Sequence, residues 1–380
     1  MNLTVVSYYA RRVIIISVLA LVVVFLGNVY WNTIVEFYYT LLPPKTSVNP
    51  TFGNLPPLEF QPKINLAENT EFVLNTRNSA LPVGLPKVIP VYRFLLPSFS
   101  YTAGGDAQKY ALEFGYTDSE LLTDLRGTIY RWGSFNFGSE LVIDINSKEI
   151  ELFTDLTSPN VRNLLSAGSL TEQAAITSAD ALLAKLNMGN DTLYKNAKKA
   201  TVTGKVLFNT LVNSDSLRDA QFVRVDYNRS ISTQNYPIFG PEPRKGLISI
   251  VVAGSSRDNL PPALKYPLVS INNSRIDENN IGFYPIINSR TAWEALLSGN
   301  AILAGIYPTN ESDLVQTNQS TITRVLINEI YLAYYENDRP QTHLQPIYVF
   351  QGNYLGEGGN AGEVYYYVPA VQGSYVNSAQ

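Results

Sequence analysis

Thr321 to Tyr335 reads TITRVLINEIYLAYY, a run dominated by β-branched and aromatic residues. Such side chains suit a pleated, half-buried surface, so the stretch predicts one long strand, or two with a bend near Asn328. Its neighbours extend the pattern. Gln345 to Phe350 (QPIYVF) is expected beside it, and Val364 to Val368 (VYYYV) completes an antiparallel meander. Tyr331, Tyr334, Tyr335, Tyr348, Tyr365, Tyr366 and Tyr367 are spread over these strands so that rings reach both faces. Tyrosine supplies a large contact area with little side-chain entropy to lose. That makes Tyr331, Tyr335, Tyr348 and Tyr366 the candidate partner-binding residues, facing a protein or a polysaccharide. Packing inside the core is the competing role for the same rings.

Upstream, the same order of elements recurs, a helix followed by antiparallel strands. In the third such unit, residues 261–380, Thr291 to Leu297 (TAWEALL) starts a helix that Asn300 and Gly305 end. The second, 171–260, has a helix from Thr177 to Leu186. Its strands are Lys199 to Leu211, Phe222 to Tyr227 (FVRVDY), Tyr236 to Gly240 and Leu247 to Ala253 (LISIVVA), the last apolar enough to be buried on both faces. The first, 98–170, has a helix over Asp106 to Phe114 and strands over Gly127 to Trp132, Glu140 to Ile145 and Glu149 to Thr154. Asn146-Ser147-Lys148 turns between the last two. Pro261-Pro262 and the polar run Asn272 to Asn280 separate the second unit from the third. Val225-Asp226-Tyr227 with the later Pro237-Ile238-Phe239-Gly240 parallels Leu332-Ala333-Tyr334 with Pro346-Ile347-Tyr348, which reads as an internal repeat.

The amino-terminal part reads differently. Val13 to Trp31 (VIIISVLALVVVFLGNVYW) carries no charge, and about 19 residues at about 1.5 Å each match a hydrocarbon core of roughly 30 Å. Arg11 and Arg12 precede it, which by the positive-inside bias keeps residues 1–12 as a short cytoplasmic head. Residues 13–42 are expected to form an uncleaved signal-anchor helix and its extension, because bulky Val29, Tyr30 and Trp31 stand where a cleavage site would need small residues. Residues 43–97 are rich in proline, including Pro43-Pro44 and Pro56-Pro57, and predict an extended stalk. Within it Glu71 to Asn75 and Val88 to Leu96 look like edge strands, since Pro90 can stand only where no ladder bond is needed. The fold class expected is therefore α+β: a single transmembrane helix followed by repeated helix-plus-meander units. The localisation expected is a single-pass cell-membrane protein with the bulk of the chain extracytoplasmic.

Composition excludes several functions. With 45% hydrophobic and 16% charged residues the chain can bury a sizeable core. A net charge of -4 with scattered basic residues lacks the footprint of a nucleic-acid binder. Cysteine is absent and His343 is the one histidine, which removes disulfides and thiolate metal sites and leaves little for a zinc site or a Ser-His relay. No metal and no cofactor is expected. Glu329 and Asp226 are strand carboxylates that could in principle support acid/base hydrolysis; a solvent-facing position, or pairing with an arginine such as Arg224, is the bland alternative. Gly352 to Gly362 (GNYLGEGGNAG) has no GK[ST] ending and no following helix, so it reads as a flexible hairpin tip rather than a phosphate loop. There is no G-x-S-x-G motif, and Gly254-Ser255-Ser256 has no base nearby in sequence.

The runs IYLAYYEND, HLQPIYVFQGN and VYYYVPAVQG, with the earlier RVDYNRSI, YPIFG and GLISIVV, resemble the YycH/YycI-type extracytoplasmic regulators and, more distantly, PepSY-type modules. The resemblance covers about the last 180 residues. It implies a non-catalytic role: a membrane-anchored regulator contacting an envelope partner such as a sensor kinase or a peptidase. A structural or polymer-binding envelope component is the second expectation, and an envelope hydrolase the third.

Overall fold

Alternating apolar and polar residues dominate this chain, and strands are what they form. The computed structural model describes residues 47–60, 70–95, 101–122, 127–190, 192–231, 235–255, 260–272, 274–309, 322–356 and 359–377. In chain order they form β1 (Glu71–Leu74), β2 (Val88–Phe94), α1 (Ala103–Glu113), β3 (Ile129–Ser134), β4 (Ser139–Asp144) and β5 (Glu149–Thr154). Next come α2 (Pro159–Arg162), α3 (Glu172–Lys185), α4 (Thr192–Lys195), β6 (Lys198–Leu207), β7 (Thr210–Asn213), β8 (Phe222–Asn228), β9 (Ser230–Ile231), β10 (Tyr236–Phe239) and β11 (Ile248–Ala253). The rest are α5 (Pro262–Lys265), β12 (Leu268–Asn272), β13 (Ile276–Pro285), α6 (Ser289–Leu297), β14 (Ile302–Pro308), β15 (Ile322–Tyr335), β16 (His343–Gly356) and β17 (Ala361–Pro369). All belong to one compact unit, Val48–Gln380.

These strands build two sheets, and this corrects the expected fold class. Among the described residues the structure is mostly β, 44% strand against 18% helix, rather than a series of α+β units. An eight-stranded antiparallel sheet runs β3-β4-β5-β12-β11-β8-β6-β7. It pools the strands of the first expected unit with those of the second except Tyr236–Phe239 (β10), which joins the other sheet, and takes β12 from the third, between β5 and β11. A nine-stranded sheet has the path β13-β2-β16-β15-β10-β9, with β17 and β14 continuing from β16 and β1 lying on β15. The reason is that each short meander exposes apolar edges and a face too small to close by itself, and merging the strands buries both. The segment expected as a stalk is consumed in the same way. β1 pairs in parallel with β15 from Glu71↔Arg324 to Leu74↔Ile327, β2 lies between β13 and β16, and Leu55 is fully buried.

The expected single-pass membrane topology is corrected too. Among the described residues no helix is long and apolar enough to cross a membrane, and Val13–Trp31, on which that expectation rested, lies outside them together with the rest of residues 1–46.

Local sequence explains the elements. In β11 the six residues ISIVVA are all buried, as an unbroken apolar run requires. The bend expected near Asn328 is a register shift in the β15–β16 ladder between Ile327 and Glu329. Pro90 pairs with Phe283 of β13, whereas β16 meets β2 only at Tyr92 and Arg93, so no ladder is interrupted. α3 begins where the Thr171 hydroxyl accepts from Ala174 N at 3.2 Å, and α6 where Asn288 Oδ1 accepts from Thr291 N at 2.9 Å; both are N-caps. Lys199 to Leu211 is a hairpin rather than one strand. Phe208 and Asn209 both take positive φ, 49° and 60°, as a two-residue turn of the favoured hand requires. The Phe208 ring stands in solvent.

The two sheets meet at a buried ion pair. Arg229, which follows β8, pairs with Glu336, which follows β15, with side chains 0% and 1% exposed. Arg229 Nη1 also donates to Ser274 O at 3.0 Å, and its guanidinium lies 4.3 Å from the centre of the Tyr194 ring. Removing one partner leaves the other charge buried alone, which costs about 3–5 kcal/mol. Urea unfolding of Arg229→Met is expected to show a loss of that size, and Arg229→Met/Glu336→Leu to recover much of it. A loss below about 1 kcal/mol in the single variant would show that the pair does not hold the sheets together.

Candidate functional site

In the eight-stranded sheet, Val223, Val225, Ile248, Ile250, Val269 and Ile271 point to one face, where Ala107 and Ala111 of α1 and Ala175, Ala179 and Leu182 of α3 pack on them. The alternate residues point the other way, as strand period two demands. At one end that outer face is closed by Val161 of α2 and by Leu156 and Leu165 against Phe222, Val251 and Ala253. Beyond them it opens into a cleft of about 400 Å³ lined by Glu151, Phe153, Leu211, Arg224, Glu242, Lys245, Ser249, Leu268 and Ser270, among others. A smaller crevice of about 100 Å³ adjoins it, shares Glu151, Glu242, Lys245 and Ser270, and adds Glu149, Asn272 and Asp338.

The wall of this cleft is the loop 240–246, GPEPRKG, which both sheets hold in place. From the eight-stranded sheet, Arg224 Nε donates to Asp226 Oδ2 at 2.8 Å and Arg224 Nη2 donates to Arg244 O at 2.9 Å. Asp226 Oδ1 accepts from Gly246 N at 3.2 Å. From the nine-stranded sheet, Glu363 takes Arg244 Nε at 3.0 Å, and the Arg244 guanidinium stacks 4.4 Å from the centre of the Tyr307 ring. With Arg224 spent on Asp226 and Arg244 on Glu363, the charges left to act are Glu151, Glu242 and Lys245 in the cleft and Glu149 and Asp338 in the crevice. Glu242 and Lys245 face each other at 3.5 Å. The site is acidic overall. Phe153, 61% exposed, adds an open ring beside it.

Glu149 has the most perturbed carboxyl of this group. Burial first, then the charges of Glu151, Asp338 and Asp144, push its pKa from 4.5 up to about 7. A carboxylic acid that keeps its proton near neutrality can donate a hydrogen bond, while exposed Glu151 on the same face of β5 accepts one. Among the described residues no group of three or more His, Cys, Asp or Glu could hold a metal ion.

The residues singled out from sequence lie elsewhere, with one exception. Tyr335, Tyr348 and Tyr366 are 1%, 0% and 0% exposed. Tyr348 donates to Ile287 O at 2.8 Å, Tyr335 packs edge-on to Tyr367 with centres 5.8 Å apart, and Tyr366 does so with Phe72 at 5.4 Å. These rings are core on the two faces of the nine-stranded sheet and are not presented to a partner. Tyr331 is half-buried, donates to Gln351 Oε1 at 3.3 Å, and has its phenol pushed up by burial and by Glu329 and Glu363. Glu329 is exposed. Asp226 is the exception: paired with Arg224 as the bland alternative had it, it anchors the cleft wall. His343 starts β16, hydrogen-bonds through Nδ1 to Thr342 Oγ1 at 2.9 Å, and is held low in pKa by burial and by Arg93. Gly352 and Gly362 lie within strands β16 and β17, where a Cβ would run into the carbonyls of Leu326 and Tyr307; close strand approach, not a flexible tip, accounts for them. Sequence reading missed Glu149, Glu151 and Glu242. For Glu149 and Glu151 the signal was the alternation of EIELFT, which sets both and Phe153 on one side of β5; Glu242, in the loop 240–246, had none.

No family model matches the chain, and no curated protein matches it. Among solved structures it is similar to an uncharacterized protein from Eubacterium rectale ATCC 33656, at 9% identity and a TM-score of 0.40, over 80% of this chain and 88% of that one.

The Glu149 carboxyl holds its proton to higher pH in the folded chain than in the unfolded one. The folded state therefore binds more protons between about pH 4.5 and about pH 7, and stability falls as pH rises through that window. Urea unfolding is expected to show a decline on the order of 1–3 kcal/mol from pH 5 to pH 7.5, reduced by partial solvent screening. Glu149→Gln should remove it. A decline of the same size in Glu149→Gln would assign it to another group.

Proposed function

We propose that this chain is a binding protein without catalytic activity, and that it contacts a protein partner through the open face of its eight-stranded sheet. One observation carries the reading: α1 and α3 close one face of that sheet, while the other keeps a charged cleft in the size range of recognition sites. The acidic balance of Glu151, Glu242 and Asp338 suits a lysine or arginine side chain of the partner, and the exposed Phe153 ring suits the same cation through its face. The pinned loop 240–246 supports it too, since a wall held from both sides loses little entropy on binding. The resemblance of the carboxy-terminal strands to YycH/YycI-type regulators points to the same class of role, regulation by contact.

A hydrolytic reading has one observation in its favour: proton-retaining Glu149 and exposed Glu151 share one face of β5.

The test is photo-crosslinking of the full chain with a reactive amino acid at Phe153 and, as a control on the opposite side of the sheet, at Leu112 of α1. A polypeptide adduct is expected from position 153, and Glu151→Lys/Glu242→Lys should cut its yield at least tenfold. Equal labelling from both positions, or a yield indifferent to the charge reversal, would remove the reading. Glycan turnover that Glu151→Gln abolishes would put the hydrolase in its place.

A further inference from the structure

The floor of the acidic cleft carries polar groups that the fold itself leaves unused. Across the outer face of the eight-stranded sheet, Glu151 of β5 stands opposite Ser270 of β12, Ser270 opposite Ser249 of β11, and Ser249 opposite Asp226 of β8. Side chains paired in this way have Cβ atoms about 4.5–5.5 Å apart. The next row on the same face is Phe153, Leu268, Val251 and Arg224. A polar strip thus lies beside a largely apolar one, and Leu211 adds to the apolar side of the cleft.

Ser249 is 4% exposed and lines the cleft, yet among the described residues its hydroxyl makes no hydrogen bond, and neither does that of Ser270. A buried hydroxyl without a partner weakens a fold, so the Ser249 side chain is not there for stability. Asp226, at the end of the row, is taken by Arg224 Nε at 2.8 Å and by Gly246 N at 3.2 Å. Glu151 forms no ion pair among the described residues. What stays open is one carboxylate and two hydroxyls in a line, beside the aliphatic Leu268 and Val251. An ammonium is compact, and its three donors turn about the stem to meet separate acceptors, whereas a guanidinium is a rigid planar fork best met by both oxygens of one carboxylate. The carboxylate set into the floor, Asp226, is already held by Arg224.

We propose that the cleft is a lysine pocket: the partner's ammonium is held by Glu151 and by the Ser270 and Ser249 hydroxyls, and its stem runs over Leu268 and Val251, so that lysine is chosen over arginine. This rests on the reading of the acidic cleft as the contact surface, and it adds which side chain enters and which residues select it. The methylene stem of lysine covers apolar surface while its head stays polar, which matches the two strips of the floor.

Methyl NMR of the full chain, following Val251, Leu268 and Leu211 during titration with Nα-acetyl-lysinamide and with Nα-acetyl-argininamide, tests this, and the Nε-acetylated lysinamide is the uncharged control. Saturable shifts are expected with the lysine amide, at an affinity at least tenfold above that of the arginine amide or the control. Ser249→Ala/Ser270→Ala should bring the lysine affinity down to that of arginine and leave the arginine affinity within threefold of its starting value. Since the fold makes no bond to the Ser249 hydroxyl, Ser249→Ala should not lower the urea midpoint, which separates lost binding from lost folding. Equal affinity for the two amides, abolished in Glu151→Lys/Glu242→Lys, would overturn the lysine pocket while the acidic contact surface stands. No saturable shift with either amide would overturn both. Lysine preference that survives in Ser249→Ala/Ser270→Ala would overturn the assignment of the hydroxyls.

Discussion

Two charges with almost no access to water, Arg229 and Glu336, stand where the two sheets come together. Removing an arginine and a carboxylate from water costs several kcal/mol each, and attraction offsets it only when both groups sit in good geometry. Each is fixed by its own sheet: Arg229 lies one residue past β8, Glu336 one residue past β15. The pair therefore tolerates one relative position of the two strands and penalises others, which apolar contact, being non-directional, cannot do. β9 and β10 follow at once from Arg229, and β10 pairs in parallel with β15 at Ile238↔Tyr334 and Phe239↔Tyr335. The chain thus crosses from one sheet to the other at the point the ion pair defines.

The acidic cleft inherits that geometry. Its wall, the loop 240–246, leaves β10 in one sheet and enters β11 in the other. It is held by Asp226 and Arg224 on one side and by Glu363 and Tyr307 on the other. Any shift between the sheets would pull Arg244 from Glu363 or its carbonyl from Arg224. The Glu242 and Lys245 side chains project from a backbone with little freedom, so the charges of the cleft keep a fixed spacing without a disulfide or a metal to brace them. Two arginines and two carboxylates, Arg224 with Asp226 and Arg244 with Glu363, hold the loop from both sides.

Local pattern was readable in the sequence, and long-range partnership was not. EIELFT is β5 to the residue, LISIVVA contains a strand buried on both faces, and the interruption near Asn328 is a real irregularity, because each follows from side-chain period alone. What failed was the assignment of strands to sheets. Nothing within Leu268 to Asn272 says that it pairs with β5 and β11, and the polar run Asn272 to Asn280 concealed β13 because its alternation is broken by Asn279 and Asn280 at a bulge. Lys199 to Leu211 concealed a turn, since phenylalanine rarely adopts positive φ. The tyrosines misdirected the site for a related reason: aromatic strands look alike whether their rings meet a partner or another sheet's core. Glu149 and Glu151 alternate correctly in sequence, but only the pooled sheet shows that Glu242 and Asp338 come to join them.

The parallel pairing of β1 with β15 has a further consequence, for the order of events in synthesis. Asn75 and Asn328, hydrogen-bonded at its end, are 253 residues apart. At roughly 5–20 residues per second, a ribosome needs on the order of 10–50 s to supply the second strand after the first has been made. Until then β1 has no ladder, β2 can pair with β13 but not yet with β16, and Tyr92 and Phe94 lack the β15 and β16 side of their core. The eight-stranded sheet can form from residues 129–272 in the meantime, whereas the nine-stranded one is closed by its most distant segments. Folding of this chain is thus a non-local, slow process, with its amino-terminal aromatic strands exposed longest, and shielding of nascent chains bears on its yield as directly as final stability does.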